Sequence, residues 1–374
     1  MNIWGELKKP FLVLAPMEGV TDVIFRQVIA HAGRPDLFFT EFTNVSSYAS
    51  EKGRANALER VAVAPSDAPI IAQIWGKNPA HFAEFASTLE NLGFSGVDLN
   101  FGCPDKHVNK TGGGAAMIKT PELARECLKN AREATNLPVS VKTRLGWSSP
   151  EEYRDWLSFL LREHPAALTV HLRTKKEMSK VSAHYELIPE IVKLRAEISP
   201  ETKLIINGDI KNRARALELH KKYSEVDGFM IGRGVFENPF CFTDHEPTRE
   251  ELLDLLKLHL DLFEAYKDER SRRFHNNEDI LYSKSAVGRL RSICDNGSNL
   301  RSKPRNARPL GRELPKANGR EREGDENAPL RTPHSYESLK HFFKIYINNF
   351  PGAKDLRAKL METHSVDEAR EIIS

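Results

Sequence analysis

Short apolar runs recur along the first 240 residues, each followed by polar or glycine-rich residues and then by a longer segment with helical periodicity. Each run is short enough to be a fully buried parallel strand. The runs are Phe11–Ala15, Leu37–Thr40, Ile70–Ile74, Gly96–Leu99, Val139–Lys142, Leu168–Val170, Leu204–Ile206 and Gly228–Ile231. This pattern predicts eight strands that alternate with helices.

Helix start signals stand between these runs. Asn78-Pro79 and Thr120-Pro121 each place a capping residue before a proline that suits the first helical turn. Ser149–Glu152 has the sequence of a capping box. The rhythm repeats about every 30 residues, which is the size of a strand–helix unit.

Eight strand–helix units in this length predict an α/β fold, the TIM (β/α)8 barrel, over residues 1–243. The alternative is an open doubly wound sheet, which needs a glycine-rich turn after its first strand. Here the first strand continues into Ala15–Gly19, which has no GxGxxG pattern. The pattern therefore favours the barrel.

The rhythm changes after residue 243, and residues 244–374 are predicted to form a smaller, all-helical domain. A capping box at Thr248–Glu251 begins a leucine-rich helix that is predicted to end near Tyr266. The other predicted helices lie at Asn277–Ile293, at Ser335–Asn348 and after the capping residue Ser365.

Residues 295–333 interrupt this helical domain. They are rich in Gly, Pro, Asn, Arg and Glu and hold almost no large apolar side chain. Burial cannot then offset the entropy lost on ordering, so we predict a disordered insertion. Five cations and no acid lie between Arg301 and Arg312. Two roles stay open for the insertion: a solvated linker, or a tether for RNA phosphates.

Composition narrows the class of protein. The 55 basic and 52 acidic residues give a net charge of +3, too small by itself to indicate a nucleic-acid partner. No apolar run approaches the roughly 20 residues of a membrane span, so no membrane association is expected. The four cysteines are scattered without a CxxC pair, and no HExxH motif occurs. We expect no disulfide framework, no metal site and a cytoplasmic location.

The carboxyl ends of the predicted strands carry the candidate chemistry, since functional residues of TIM barrels collect there. Nearly every end supplies a polar or glycine residue. In order they are Pro16-Met17-Glu18, Glu41, Gln73, Asn100 with Cys103, Lys142 with Arg144, His171 with Arg173, Asn207-Gly208-Asp209 and Gly232-Arg233-Gly234. The last two groups suit a phosphate, because glycines admit backbone N–H groups and Arg233 adds a fork of donors.

Two of these side chains indicate particular chemistry. Lys142 ends an apolar strand, where a lysine is costly to bury without an anionic or polar partner. The edge of a reduced flavin is one such partner, and Gln73 and His171 are suitable donors to the same ring system. A lone cysteine is most often a small buried apolar residue. Cys103, however, lies on a loop at the barrel mouth, where a thiol can donate a proton or act as a nucleophile.

A set of short motifs occurs in a fixed order along the chain, and the ordered set is highly specific for one protein family. The motifs are Ala15-Pro16-Met17 with Thr21-Asp22, Gln73, Asp98–Pro104, Gly112–Ala115, Val141–Arg144, His171–Thr174, Asn207-Gly208-Asp209 and Gly232-Arg233-Gly234. Together they resemble the tRNA-dihydrouridine synthases, over roughly residues 10–240 and again from Tyr336 to Ile373. The resemblance implies an FMN enzyme with a barrel and a helical tRNA-binding domain. The insertion and the stretch Met178–Tyr185 depart from the family's usual form, which bears on RNA docking.

The resemblance also implies a role for each candidate. Residues expected to line or hold the flavin are Pro16, Met17, Glu18, Gln73, Lys142 and His171. Those expected to cradle its ribityl chain and phosphate are Asn207, Gly208, Asp209, Gly232 and Arg233. Residues expected near the uracil are Asn100, Arg144 and Arg173, with Cys103 as the proton donor.

The implied reaction starts when NADPH or NADH reduces FMN. Hydride then passes to C6 of a uridine and Cys103 protonates C5. A monomer is expected. Two alternatives remain open: an FMN oxidoreductase of free pyrimidines similar to dihydroorotate dehydrogenase, and a tRNA-binding protein without redox activity.

Overall fold

The computed structural model describes residues 2–276 and 335–374, and of residues 269–276 it describes the helix but not the side chains. The predicted helix Asn277–Ile293 and the predicted disordered insertion 295–333 therefore lie outside the described residues.

The described residues form a parallel sheet that closes into a barrel. Its strands are β1 (Phe11–Leu14), β2 (Phe38–Phe39), β3 (Thr43–Asn44), β4 (Ile70–Trp75), β5 (Gly96–Phe101), β6 (Val139–Arg144), β7 (Ala167–His171), β8 (Lys203–Asn207) and β9 (Gly228–Ile231). Eight strands follow the order β1-β9-β8-β7-β6-β5-β4-β2, while β3 pairs with β4 beyond β2. A parallel bridge between Val13 and Leu37 joins β1 to the start of β2 and closes the ring. The predicted barrel is confirmed.

Helices connect the strands as the sequence predicts. They are α1 (Ile3–Glu6), α2 (Val23–Gly33), α3 (Val45–Ala49), α4 (Glu51–Arg60), α5 (Pro79–Asn91), α6 (Lys106–Lys110), α7 (Pro121–Glu133), α8 (Tyr153–Leu161), α9 (Ile188–Ile198), α10 (Arg213–Lys222) and α11 (Gly234–Glu237). Asn78 caps α5 by accepting a hydrogen bond from the backbone of Ala80. Thr120 precedes α7 but its side chain makes no capping bond, so that part of the prediction was wrong.

The barrel interior changes from apolar to polar towards the carboxyl ends of the strands. Trp4 contacts the rings of Phe11 and Phe39, and these side chains belong to a small apolar cluster inside the barrel. Side chains alternate between the two faces of a strand. In β5 the apolar residues pack in a larger apolar cluster that also includes side chains of the surrounding helices. Asp98 and Asn100 instead face the barrel interior. The site therefore rests on a polar layer.

The tail is helical and packs on the α2 side of the barrel. Its helices are α12 (Arg249–Asn276), α13 (Tyr336–Tyr346), α14 (Ala353–Glu362) and α15 (Val366–Ile373). The Phe342 ring centroid lies 5.2 Å from that of Phe25 on α2. Buried His259 of α12 hydrogen-bonds the Tyr346 hydroxyl of α13, with 2.7 Å between Nδ1 and the oxygen. The domain boundary after residue 243 stays a prediction.

Two details of the tail bear on the sequence predictions. Thr248 and Glu251 form the predicted capping box at the start of α12. The predicted end of this helix near Tyr266 was wrong, since α12 continues to Asn276. In the parts of the chain that the structure describes, no helix combines the length and apolar character needed to span a membrane.

Candidate functional site

A cavity of about 510 Å³ opens where the carboxyl ends of the barrel strands converge. Fourteen of the fifteen predicted site residues line it: Pro16, Met17, Gln73, Asn100, Cys103, Lys142, Arg144, His171, Arg173, Asn207, Gly208, Asp209, Gly232 and Arg233. A second cavity of about 600 Å³ adjoins it and shares Phe42 and Cys103 as walls. Glu18 lines only this second cavity, where its carboxylate pairs with Arg60. The structure thus does not place the Glu18 side chain with the other predicted flavin residues.

A chain of amide hydrogen bonds fixes one wall of the first cavity. Nε2 of Gln73 donates to Asp98 at 2.7 Å, and Nδ2 of Asn100 donates to Oε1 of Gln73 at 2.9 Å. Oδ1 of Asn100 in turn accepts from the backbone N–H of Cys103 at 2.9 Å. Asp98 is held by Ser140, and burial raises its pKa to about 6. The orientation of each amide is therefore set from the barrel core outward.

The thiol of Cys103 lies on a loop that is tied at several points. Besides the bond from its backbone N–H to Asn100, Cys103 has a backbone carbonyl that accepts a hydrogen bond from Nδ2 of Asn109 at 2.9 Å. A side chain at Gly102 would meet the backbone of Thr143 at 3.1 Å, so the loop lies directly against β6. Burial raises the pKa of the Cys103 thiol above its ordinary value. At neutral pH this residue is a thiol rather than a thiolate, and a thiol can donate a proton.

Lys142 presents an unpaired ammonium group to the cavity. Burial, and then repulsion from Arg144, lower its pKa to about 8. Of the groups that the structure describes, none forms a hydrogen bond or ion pair with Nζ of Lys142. The negative charge of Asp98, which lies beyond hydrogen-bond distance, only partly offsets the lowering of this pKa. A partly buried ammonium without a partner favours an anionic or polar ligand.

His171 is neutral. Burial, followed by the charges of Arg144 and Lys142, holds its pKa well below the ordinary value. Nε2 of His171 lies 3.1 Å from Nη1 of Arg173. Because a guanidinium can only donate, Nε2 accepts and the ring proton is assigned to Nδ1.

Arg144 braces two loops from inside the cavity. Its Nε donates to the carbonyl of Gly102 at 2.7 Å, beside Cys103, and its Nη1 donates to Thr174 and Met178 in the loop after β7. Nη2 makes no hydrogen bond with any residue that the structure describes. Among the described residues this nitrogen has no acceptor, so it could donate to a ligand in the cavity.

Another part of the cavity wall combines glycine backbone with an exposed arginine, the kind of surface that suits an anion. Gly208 has φ +121°, and Tyr185 donates to its carbonyl at 2.6 Å. A side chain at Gly234 would come within 2.0 Å of the Lys211 carbonyl, so only glycine fits there. The guanidinium of Arg233 is largely exposed and retains donors that none of the described residues uses.

Asp209 organises the arginines in this part of the cavity wall. One carboxylate oxygen accepts from Arg233 at 3.2 Å, and the other accepts from Arg173 and from the backbone of Ala183. Burial opposes ionisation, but these bonds and charges lower the pKa of Asp209. Arg173 also donates to the carbonyl of Val181. Its bonds tie it to this part of the cavity, and its predicted contact with a pyrimidine stays a prediction.

Several residues at the site were not assigned roles from the sequence. Asp98 and Ser140 orient Gln73 from the interior, and their two-residue spacing from Asn100 and Lys142 was an available signal. Phe42 and Ser179 come from loops without any recognisable pattern. Among the side chains that the structure describes, those of residues 2–268 and 335–374, no three His, Cys, Asp or Glu group as metal ligands would.

The chain is similar to known proteins over most of its length. The sequence model of the family described as dihydrouridine synthase matches residues 13–308. A protein named probable tRNA-dihydrouridine synthase 2 of Bacillus subtilis (strain 168) is 42% identical over 374 residues, covering 100% of this chain and 95% of that one. A probable tRNA-dihydrouridine synthase of Staphylococcus aureus (strain COL) is 41% identical over the same length, covering 94% of that protein. The chain belongs to the dihydrouridine synthase family.

Proposed function

We propose that this protein is an FMN-dependent oxidoreductase that reduces the C5–C6 double bond of a uridine in the D-loop of tRNA. The observation that carries the proposal is one cavity lined by a buried thiol, by an ammonium that no described residue pairs, and by glycines beside the exposed Arg233. The relatives' names supply the substrate class. NADPH or NADH is the proposed reductant, and a monomeric, cytoplasmic enzyme stays a prediction.

The residues present fit a flavin mononucleotide. Arg233 and the backbone at Gly208 and Gly232 would hold the phosphate, while Lys142 and neutral His171 would hold the ring. When bound, FMN would supply the hydride. Lys142 matches the negative edge that a reduced flavin presents, which would account for a lysine that has no partner among the described residues.

The chain's own groups would perform the acid step. Cys103 holds a proton at neutral pH because burial raises its pKa, and it would release that proton to C5. Asn100 fixes the backbone of the thiol loop, and Nη2 of Arg144 is free to bind a carbonyl oxygen of the base. Asp209 would orient Arg233 and Arg173 by accepting hydrogen bonds from both, and the contact of Arg173 with the base stays a prediction.

Dihydrouridine in cellular tRNA tests the function directly. A strain that lacks this gene should lose dihydrouridine from at least one tRNA position, and the wild-type gene should restore it. Nucleoside mass spectrometry of purified tRNA measures both. Unchanged tRNA with a change in free dihydropyrimidines would support the free-pyrimidine alternative. A purified protein without a flavin spectrum would support the redox-inactive alternative.

Replacing Arg233 should weaken flavin binding. Charge-assisted hydrogen bonds to a phosphate are stronger than neutral ones, so Arg233→Ala should purify with little flavin and regain its absorbance with excess FMN. Arg125→Ala, which removes a partly exposed arginine from α7, is the matched control and should keep full flavin. Full occupancy of Arg233→Ala at low FMN would contradict the assignment.

A further inference from the structure

Two large apolar side chains project from the loop after β7, at the rim of the first cavity. Met178 is 43% exposed and Val181 is 42% exposed, and Ser179 between them lines the cavity. Over the described side chains, only Met361 is a comparably exposed large hydrophobic residue. Single exposed apolar residues are ordinary on a protein surface. Two on one turn beside a candidate active site are a local concentration of apolar surface.

Residues of the cavity hold this turn in place. Nη1 of Arg144 donates to the carbonyl of Met178 at 2.9 Å, and Nε of Arg173 donates to the carbonyl of Val181 at 2.7 Å. Oε2 of Glu177 accepts from the backbone of Thr174 at 2.7 Å. The two apolar side chains are thus displayed on a preorganised backbone, which lowers the entropy lost when they bind a partner.

Met178 has an unusual backbone conformation for a residue with a long apolar side chain. Its φ is +53°, in the left-handed region that glycine and asparagine adopt most readily. A long apolar side chain here is both exposed to water and attached to a disfavoured backbone. Neither burial nor turn preference explains a methionine at this position.

The charge around the turn favours an anionic partner. Lys176 and Lys180 are exposed on the same loop. Lys175 lies over the Trp147 ring, 4.6 Å from its centroid, and Lys119 lies over the same ring at 4.9 Å. Basic side chains around an apolar projection suit a nucleic acid, since the lysines can meet phosphates while the projection meets bases.

We propose that Met178 and Val181 insert into the base stack of the RNA beside the target uridine. The inference rests on the proposed function, in which the uridine must leave its stack to enter the cavity. Apolar side chains that wedge between bases are a known way to stabilise such a distortion. Here the wedge would be Met178 with Val181, and the neighbouring lysines would contact the flanking phosphates.

The test uses the whole protein and a tRNA that carries 2-aminopurine next to the target uridine. Wild-type protein should raise the fluorescence of the probe, because the probe loses a stacking neighbour. The Met178→Ser/Val181→Ser double variant should bind the tRNA but give a much smaller rise. Its single-turnover rate of dihydrouridine formation should fall roughly tenfold, equivalent to about 1.4 kcal/mol.

Two controls separate the wedge from general effects of polarity. Met361→Ser changes the exposed methionine of α14 and should leave both signals unchanged. Met178→Leu keeps an apolar side chain and should retain most of the rate. A double serine variant with the wild-type rate and fluorescence would overturn the wedge. So would a wild-type protein that forms dihydrouridine without changing the probe, whereas absence of dihydrouridine with wild type would count against the proposed function itself.

Discussion

Cys103→Ala protein should bind FMN and accept electrons from NADPH or NADH normally, yet form dihydrouridine about 10²–10⁴ times more slowly. The loss is expected because alanine has no proton to give, while the flavin-holding residues lie elsewhere in the cavity. Flavin absorbance, anaerobic flavin reduction and dihydrouridine formation in tRNA measure the three properties separately. A full rate of dihydrouridine formation would remove Cys103 from the role of acid.

Cys127→Ala is the matched control for removing a thiol. Cys127 is buried on α7, away from both cavities, so its replacement should cost some stability but leave the rate unchanged.

The wild-type rate of dihydrouridine formation should also depend on pH in a definite direction. Because burial raises the pKa of Cys103, the acid form should persist through neutral pH, and the rate should fall only in the alkaline range as the thiol ionises.

The barrel was predictable because its signals are local. Gly228–Ile231, for example, was predicted as a strand from four apolar or small residues in a row, and it is β9 with the same bounds. The end of α12 was not predictable from the apolar pattern. That pattern stops near Tyr266, but the next ten residues contain no glycine or proline and continue the helix without an apolar face.

The cavity's residues were predictable as a set, but their pairing was not. Parallel strands bring their carboxyl ends together, so residues such as Gln73 and Lys142 had to meet. The bond from Gln73 to Asp98 joins positions 25 residues apart, and its formation depends on which side chains face each other across two strands.

Glu18 shows the same limit within a single loop. It follows Met17 directly, yet its carboxylate lies at the second cavity, where Arg60 at the end of α4 attracts it. Nothing near Glu18 in the sequence indicates that partner. Contacts between distant elements must therefore be read from the fold rather than from the motif.

Lys142→Met protein without flavin should be more stable than the wild type. The variant keeps the aliphatic stem and removes an ammonium that burial disfavours, with a folded-state pKa of about 8 against an ordinary value of 10.5. Holding that charge at neutral pH costs at most about 3 kcal/mol. We expect the melting temperature to rise by roughly 2–8 °C in calorimetry of the flavin-free protein. The same variant should bind FMN more weakly, and its bound flavin should be reduced more slowly.

The pH dependence gives this prediction its sign. A lysine whose pKa is lower in the folded state binds fewer protons there than in the unfolded chain between about pH 8 and pH 10.5. The stability advantage of Lys142→Met should be complete below pH 8 and shrink as the pH rises through that window. Lys203→Met is the matched control, since Lys203 lies at the start of β8 near Asp227, and its loss should not stabilise the protein. If flavin-free Lys142→Met has a lower melting temperature than the wild type at neutral pH, the prediction is contradicted. The ammonium would then have a stabilising partner within the chain and would not need a ligand to balance its charge.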